Sequence, residues 1–280
     1  MDIIHARKIY LATICFLLIN ANTYADTENN SNTVPSVNTP IINPCNDILS
    51  LVDRPSKADS ACVVPYGQFD LEGGYQFLNL IGTGTSQNFP EAEFRIGLPW
   101  NNELVILPPN YNTQTIFPRA GGGATTLGLK HEIGYTSNLN AAIEGLVTFP
   151  SGSNAFGSDE TGGAFNGILT YSFTPSISAT AMLGVTTQTL PTLSNGTRFN
   201  SFNPDVLVSW DITDKVETYA EVFGQTNAGP GLGYGYNADI GLLYAITHNT
   251  EFDVSFGQRI TGNLGGYNNY IGVGMATLLG

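Results

Sequence analysis

The stretch that decides the fold is Gln68-Phe69-Asp70-Leu71-Glu72-Gly73-Gly74-Tyr75-Gln76-Phe77. Phe69, Leu71, Tyr75 and Phe77 alternate with Gln68, Asp70, Glu72 and Gln76, and a period of two puts the two sets on opposite faces of a β-strand. The same alternation recurs to the C-terminus. Phe94, Ile96 and Leu98 oppose Glu93 and Arg95; Leu127, Leu129 and Ile133 oppose Lys130 and Glu132; Val206, Val208, Trp210 and Ile212 oppose Asp205 and Asp211; Phe252, Val254 and Phe256 oppose Glu251 and Asp253. A soluble sandwich would alternate in the same way, so the connections have to separate the two architectures.

Four tight turns share one pattern, an apolar residue followed by Thr and two variable residues: Tyr135-Thr136-Ser137-Asn138, Phe173-Thr174-Pro175-Ser176, Ile212-Thr213-Asp214-Lys215 and Ile246-Thr247-His248-Asn249. Leu98-Pro99-Trp100-Asn101-Asn102 reads as a fifth, divergent turn one interval earlier. Between the turns lie longer stretches rich in Gly, Asn, Pro and Ser, at 79–89, 108–123, 150–162, 188–201, 226–233 and 261–267. Short turns at one rim and long loops at the other are the asymmetry of an outer-membrane barrel. Five turns and six loops join about twelve strands, each of about 9 to 12 residues, enough to cross the hydrocarbon when tilted. Tyr135, Phe173, Trp210 and Tyr244 stand just before the Thr turns on the outward face, at the depth of a lipid interface. The fold class predicted is therefore all-β, a transmembrane antiparallel up-and-down barrel over residues 67–280 with a short N-terminal periplasmic segment.

Residues 1–25 read as a signal peptide: Arg7 and Lys8 precede an apolar stretch from Ile9 to Ile19, and Thr23-Tyr24-Ala25 offers small residues for cleavage. Residues 26–66, rich in Asn, Ser, Thr and Pro, read as a flexible leader followed by a disulfide-closed segment. Loss of the signal removes Asp2, Arg7 and Lys8 and leaves eight basic against 22 acidic residues, which disfavours nucleic acid as a partner. Only 12 % of the residues are charged and 11 % are aromatic, a balance that fits an outer surface facing lipid. Cys15 leaves with the signal, and the remaining pair, Cys45 and Cys62, is expected to form one disulfide in an oxidising compartment.

Val52-Asp53-Arg54-Pro55, then Val64-Pro65-Tyr66-Gly67-Gln68-Phe69 and Leu71-Glu72-Gly73-Gly74-Tyr75, resemble the opening of the family of outer-membrane transporters of the meta-pathway of phenol degradation, whose members begin with Asp-Arg-Pro and Val-Pro-x-Gly elements. The resemblance continues through Phe94-Arg95-Ile96-Gly97-Leu98, Gly128-Leu129-Lys130, Phe149-Pro150-Ser151-Gly152 and Ile212-Thr213-Asp214-Lys215. It implies passage of small apolar compounds, aromatic ones among them, across the outer membrane. The cysteine pair that brackets the Asp-Arg-Pro element is not a feature of that family.

The inward parity set is Asp70, Glu72, Glu93, Glu132, Glu144, Asp205, Asp211, Glu217, Glu221, Asp239 and Asp253, against Arg95, Lys130 and Arg259. A water-filled lumen lined this way favours cations and neutral solutes over anions; a lumen filled by side chains makes the same groups ion-pair networks. No enzyme is expected. The mature chain has only His131 and His248, the first on the outward face and the second in a turn, and nucleophile activation needs a base within hydrogen-bond reach. Neither a cofactor nor a metal is implied, since no His-bearing ligand spacing surrounds Cys45 or Cys62. The expected partners are outer-membrane lipid, a small-molecule solute and, during biogenesis, the barrel assembly machinery. Two roles follow: a passive channel for small neutral to apolar solutes, or a filled barrel that acts as a structural or adhesive surface protein through its extracellular loops.

Overall fold

A computed structural model describes residues 44–280, so the signal peptide and most of the leader lie outside the described residues. Twelve strands close an antiparallel barrel in sequential order: β1 (Phe69–Leu80), β3 (Glu93–Leu98), β4 (Asn102–Leu107), β7 (Thr126–Tyr135), β8 (Leu139–Thr148), β9 (Gly162–Thr174), β10 (Ile177–Thr189), β11 (Arg198–Thr213), β12 (Val216–Gln225), β13 (Gly235–Thr247), β14 (Thr250–Thr261) and β15 (Tyr267–Leu279). β15 pairs with β1 from Phe69↔Leu279 to Leu80↔Tyr267, which removes both sheet edges. Closure is what lipid demands, because an unpaired backbone group in hydrocarbon costs several kcal/mol.

The Thr turns have a local cause. In each one the Thr hydroxyl accepts a backbone N–H two residues on: Asn138 on Thr136 at 3.3 Å, Ser176 on Thr174 at 3.2 Å, Lys215 on Thr213 at 3.2 Å and Asn249 on Thr247 at 3.2 Å. The side chain thus satisfies a donor that the ladder leaves free. The fifth turn works otherwise. Trp100 and Asn101 both take positive φ (62° and 55°), and the Asn102 amide donates to the carbonyls of Pro99 and Trp100.

The regions expected as loops at 79–89 and 108–123 carry extra pairing. β2 (Thr85–Phe89) continues the line of β3 along β1, β5 (Tyr111–Gln114) continues β4, and β6 (Ala120–Gly122) continues β7. Each of these three lines breaks at a similar height, at Pro90-Glu91-Ala92, Pro108-Pro109-Asn110 and Gly123-Ala124-Thr125. Proline has no N–H to give a ladder, which accounts for two of the breaks. The loop reading missed these strands because they are only five, four and three residues long, too short to show a period, and stand among Gly, Asn and Pro.

Side-chain exposure separates the two faces. Leu129, Ile133, Val208, Phe165, Ile240 and Ile271 project outward and are exposed, forming an apolar belt, while Tyr135, Phe173, Trp210 and Tyr244 ring its lower edge. On the inner face Asp70, Glu72, Arg95, Glu103, Lys130, Glu251 and Asp253 are each no more than 1 % exposed. A soluble protein would reverse that arrangement.

Candidate functional site: the occupied lumen

The lumen is filled from the periplasmic side by the chain's own segment ahead of β1. It starts with a single 3-10 turn at Pro44–Asn46 and the one-turn helix α1 (Ile48–Leu51), whose N-terminus is capped by Asp47 accepting from the Leu49 N–H at 3.2 Å. The disulfide expected from the cysteine count joins Cys45 to Cys62 across 17 residues and closes the segment into a ring. The Asn140 amide of β8 lies 3.3 Å from Cys45 Sγ. The sequence left open whether the leader and disulfide-closed segment of residues 26–66 enter the barrel; residues 44–66 do, because so short a segment can bury Ile48, Leu49, Leu51, Val52 and Val64 only against the barrel wall.

The Asp-Arg-Pro element is the anchor. Asp53 stands between Arg95 of β3 at 3.2 Å and Lys130 of β7 at 3.1 Å. Arg95 also reaches Glu103 at 2.9 Å, Glu72 at 3.4 Å and Asp70 at 3.5 Å, and donates to the Leu51 and Cys62 carbonyls at 2.7 and 3.0 Å. Arg54 pairs with Asp253 at 3.2 Å and Glu91 at 3.4 Å. Wall carboxylates take the plug's backbone donors as well: Glu72 accepts the N–H groups of Asp53 and Arg54, Glu221 those of Lys57 and Ala58, and Glu103 that of Val64. Burial pushes the Asp53 carboxyl up to about 6, against the opposing pull of Arg95 and Lys130. Burial also opposes charge on the Arg54 guanidinium, but Asp253 and Glu91 more than restore it, so its pKa lies above the ordinary arginine value.

The predicted inward residues fall into separate groups. Asp70, Glu72, Arg95 and Lys130 meet in the anchor network. Asp205, Glu221 and Asp239 form a second buried group, with Asp239 accepting the Tyr270 hydroxyl. Glu144 accepts from Asn166 at 2.8 Å, and Glu132 is buried lower on β7. Glu93 borders an extracellular-side cavity of about 410 Å³; Asp211 and Glu217 border a periplasmic-side cavity of about 720 Å³. Arg259 sits near the extracellular loops, donating to the Gly262 carbonyl at 3.1 Å. The plug turn Arg54-Pro55-Ser56 and Asp59 border both cavities, so this turn is the partition between them.

Three inner-wall or plug-facing acids escaped the parity set. Glu103 lies in Asn102–Leu107, where apolar residues on both faces hide the alternation; its signal is its register opposite Lys130. Glu91 takes positive φ at a strand break, where parity has no meaning. Glu251 stands in the alternation read from the sequence, on the face of Asp253, and was left out only of the inward set. Asp53 and Arg54 entered the reading as a family element, without a role. His131 points away from the lumen, 3.0 Å from the Asn102 side chain, and His248 lies in the last Thr turn.

With this geometry in view, the sequence matches over residues 52–271 the family described as "Putative MetA-pathway of phenol degradation". The chain belongs to that family. No curated relative matches it in sequence. Among solved structures, an outer membrane channel from Pseudomonas putida F1 is similar with a TM-score of 0.64 at 9 % identity, over 80 % of this chain and all of that one. The NanC porin is similar with a TM-score of 0.51 at 13 % identity, over 75 % of this chain and 98 % of that one. The KdgM porin gives 0.50 at 10 %, with the same coverage. Such distant likeness speaks for the fold, a closed outer-membrane barrel of the channel type. This family member therefore resides in the bacterial outer membrane, in contact with its lipid.

Proposed function

We propose that this protein is a passive conduit for small neutral to apolar solutes, in which the ring closed by Cys45 and Cys62 is the closure that must yield. The observation that carries the reading is the pair of cavities, about 720 and 410 Å³, both bordered by the turn Arg54-Pro55-Ser56 and by Asp59. Both fall near the usual size of a small-molecule site. An excess of acids over bases on the inner wall disfavours anions, and inner-wall Leu207, Tyr219 and Leu243 offer apolar surface to an uncharged body. The family's description supports small aromatic compounds as candidates.

The test is conductance of the purified protein in planar bilayers together with uptake of benzyl alcohol into liposomes. Steady current with cation preference and measurable uptake are expected. Glu93→Gln with Glu132→Gln is expected to lower the cation preference, seen as a smaller reversal potential in a salt gradient, while the folded band on unheated gels persists. Absence of both current and uptake would favour the filled barrel as a surface protein.

A further inference from the structure

From β11 to β15 the inner wall alternates apolar and acidic groups across neighbouring strands. Leu207 stands opposite Glu221, Leu243 opposite both Glu217 and Asp253, and Glu251 opposite both Ala245 and Ala276. The plug covers part of this surface with matching chemistry. Ile48, Leu49, Val52 and Ala58 form one buried apolar cluster with Leu207, Tyr219, Leu243, Ala245 and Ala276. Two residues from Val52, the Arg54 guanidinium donates to both oxygens of Asp253, at 3.2 and 3.3 Å. The occupant of this wall is thus an apolar body that carries a positive charge.

Part of the wall has no cationic partner. Glu251 is 0 % exposed, yet no Lys, Arg or His among the described residues lies within ion-pair distance of it. Glu217 borders the periplasmic-side cavity, and Leu207, Tyr219, Leu243 and Ala245 border the same space. A neutral solute there would leave the Glu217 carboxylate with only the Ser209 hydroxyl, which donates to it at 2.8 Å, and an anion would meet like charge; an ammonium group would supply the cation that no salt bridge gives it.

We propose that this inner face binds amphipathic amines, solutes whose single apolar or aromatic body carries one ammonium group, at the cavity beside Glu217 and in competition with the plug. The proposal rests on the conduit reading and adds to its neutral solutes a cationic class held at this one cavity. Binding is read by equilibrium dialysis of the purified full chain with benzyltrimethylammonium, tetramethylammonium and benzoate, and conduction separately by current in planar bilayers. Benzyltrimethylammonium should bind at least about tenfold more tightly than either of the others, the worth of one modest contact. Glu217→Gln should weaken it by a similar factor, and Leu243→Ser should weaken benzyltrimethylammonium while leaving tetramethylammonium unchanged; the heat-dependent gel shift verifies that both variants are folded barrels. Equal affinity for the three probes in the wild type, or unchanged affinity in both folded variants, overturns the proposal even where current is normal. Selective binding without any current supports the binding surface and overturns the conduit reading instead.

Discussion

The barrel wall and the plug inside it are held by opposite means. In the wall, backbone pairs with backbone along unbroken registers such as β10 with β11, where thirteen residue pairs run from Ile177↔Trp210 to Thr189↔Arg198. In the plug, backbone pairs with side chains of the wall: Glu72, Glu103 and Glu221 take its N–H groups and Arg95 takes its carbonyls. A ladder is insensitive to which residues build it, whereas the plug depends on a few named groups. The two regions should accordingly fail independently.

The sharpest break of the comparison is Arg95→Met. It removes the cation shared by Asp53, Asp70, Glu72 and Glu103 and the donor to two plug carbonyls. Removal of one partner from a buried ion-pair network costs about 3 to 5 kcal/mol. The plug should undock and conductance should rise steeply, with the heat-dependent gel shift of the barrel intact. A variant that conducts no more than wild type, yet folds, would show that the plug is held elsewhere.

Next in size is the ring. Cys45→Ser with Cys62→Ser gives back about 3 kcal/mol of loop-closure entropy to the undocked segment, for a loop of this length. Open events in single-channel records should become more frequent and trypsin should reach Lys57 faster. Unchanged gating would mean that side-chain contacts alone hold the segment.

The converse change strikes the wall and spares the plug. Val208 faces outward on β11, 46 % exposed, so Val208→Arg puts a charge into hydrocarbon at a cost of about 2 to 4 kcal/mol at mid-depth. A membrane refolding titration should register that loss while gating of the folded fraction stays as in wild type. A loss near zero would contradict the assignment of this face to lipid.

The difference between wall and plug also explains how much could be read in advance. Alternation from Gln68 to Phe77 and its later repeats located the strands, because a period of two is a local property of extended chain. The Thr turns were legible for a similar reason: each hydroxyl bonds an N–H two residues away. The plug left no such trace. Its one helical turn is too short for a period, and its partners lie far along the chain, Arg54 with Asp253 being 199 residues apart. Glu103 was hidden because an apolar β4 masks its own alternation.

What the sequence determined by itself is which side chains look outward and which look in, where the chain turns, and that two cysteines remain to pair. Those follow from neighbours along the chain and from the demand that lipid places on every backbone group. Only the closed barrel decided that residues 44–66 lie in the lumen and that Asp53 meets Arg95 and Lys130, because these contacts exist only once β15 has joined β1 and brought distant strands around a common interior.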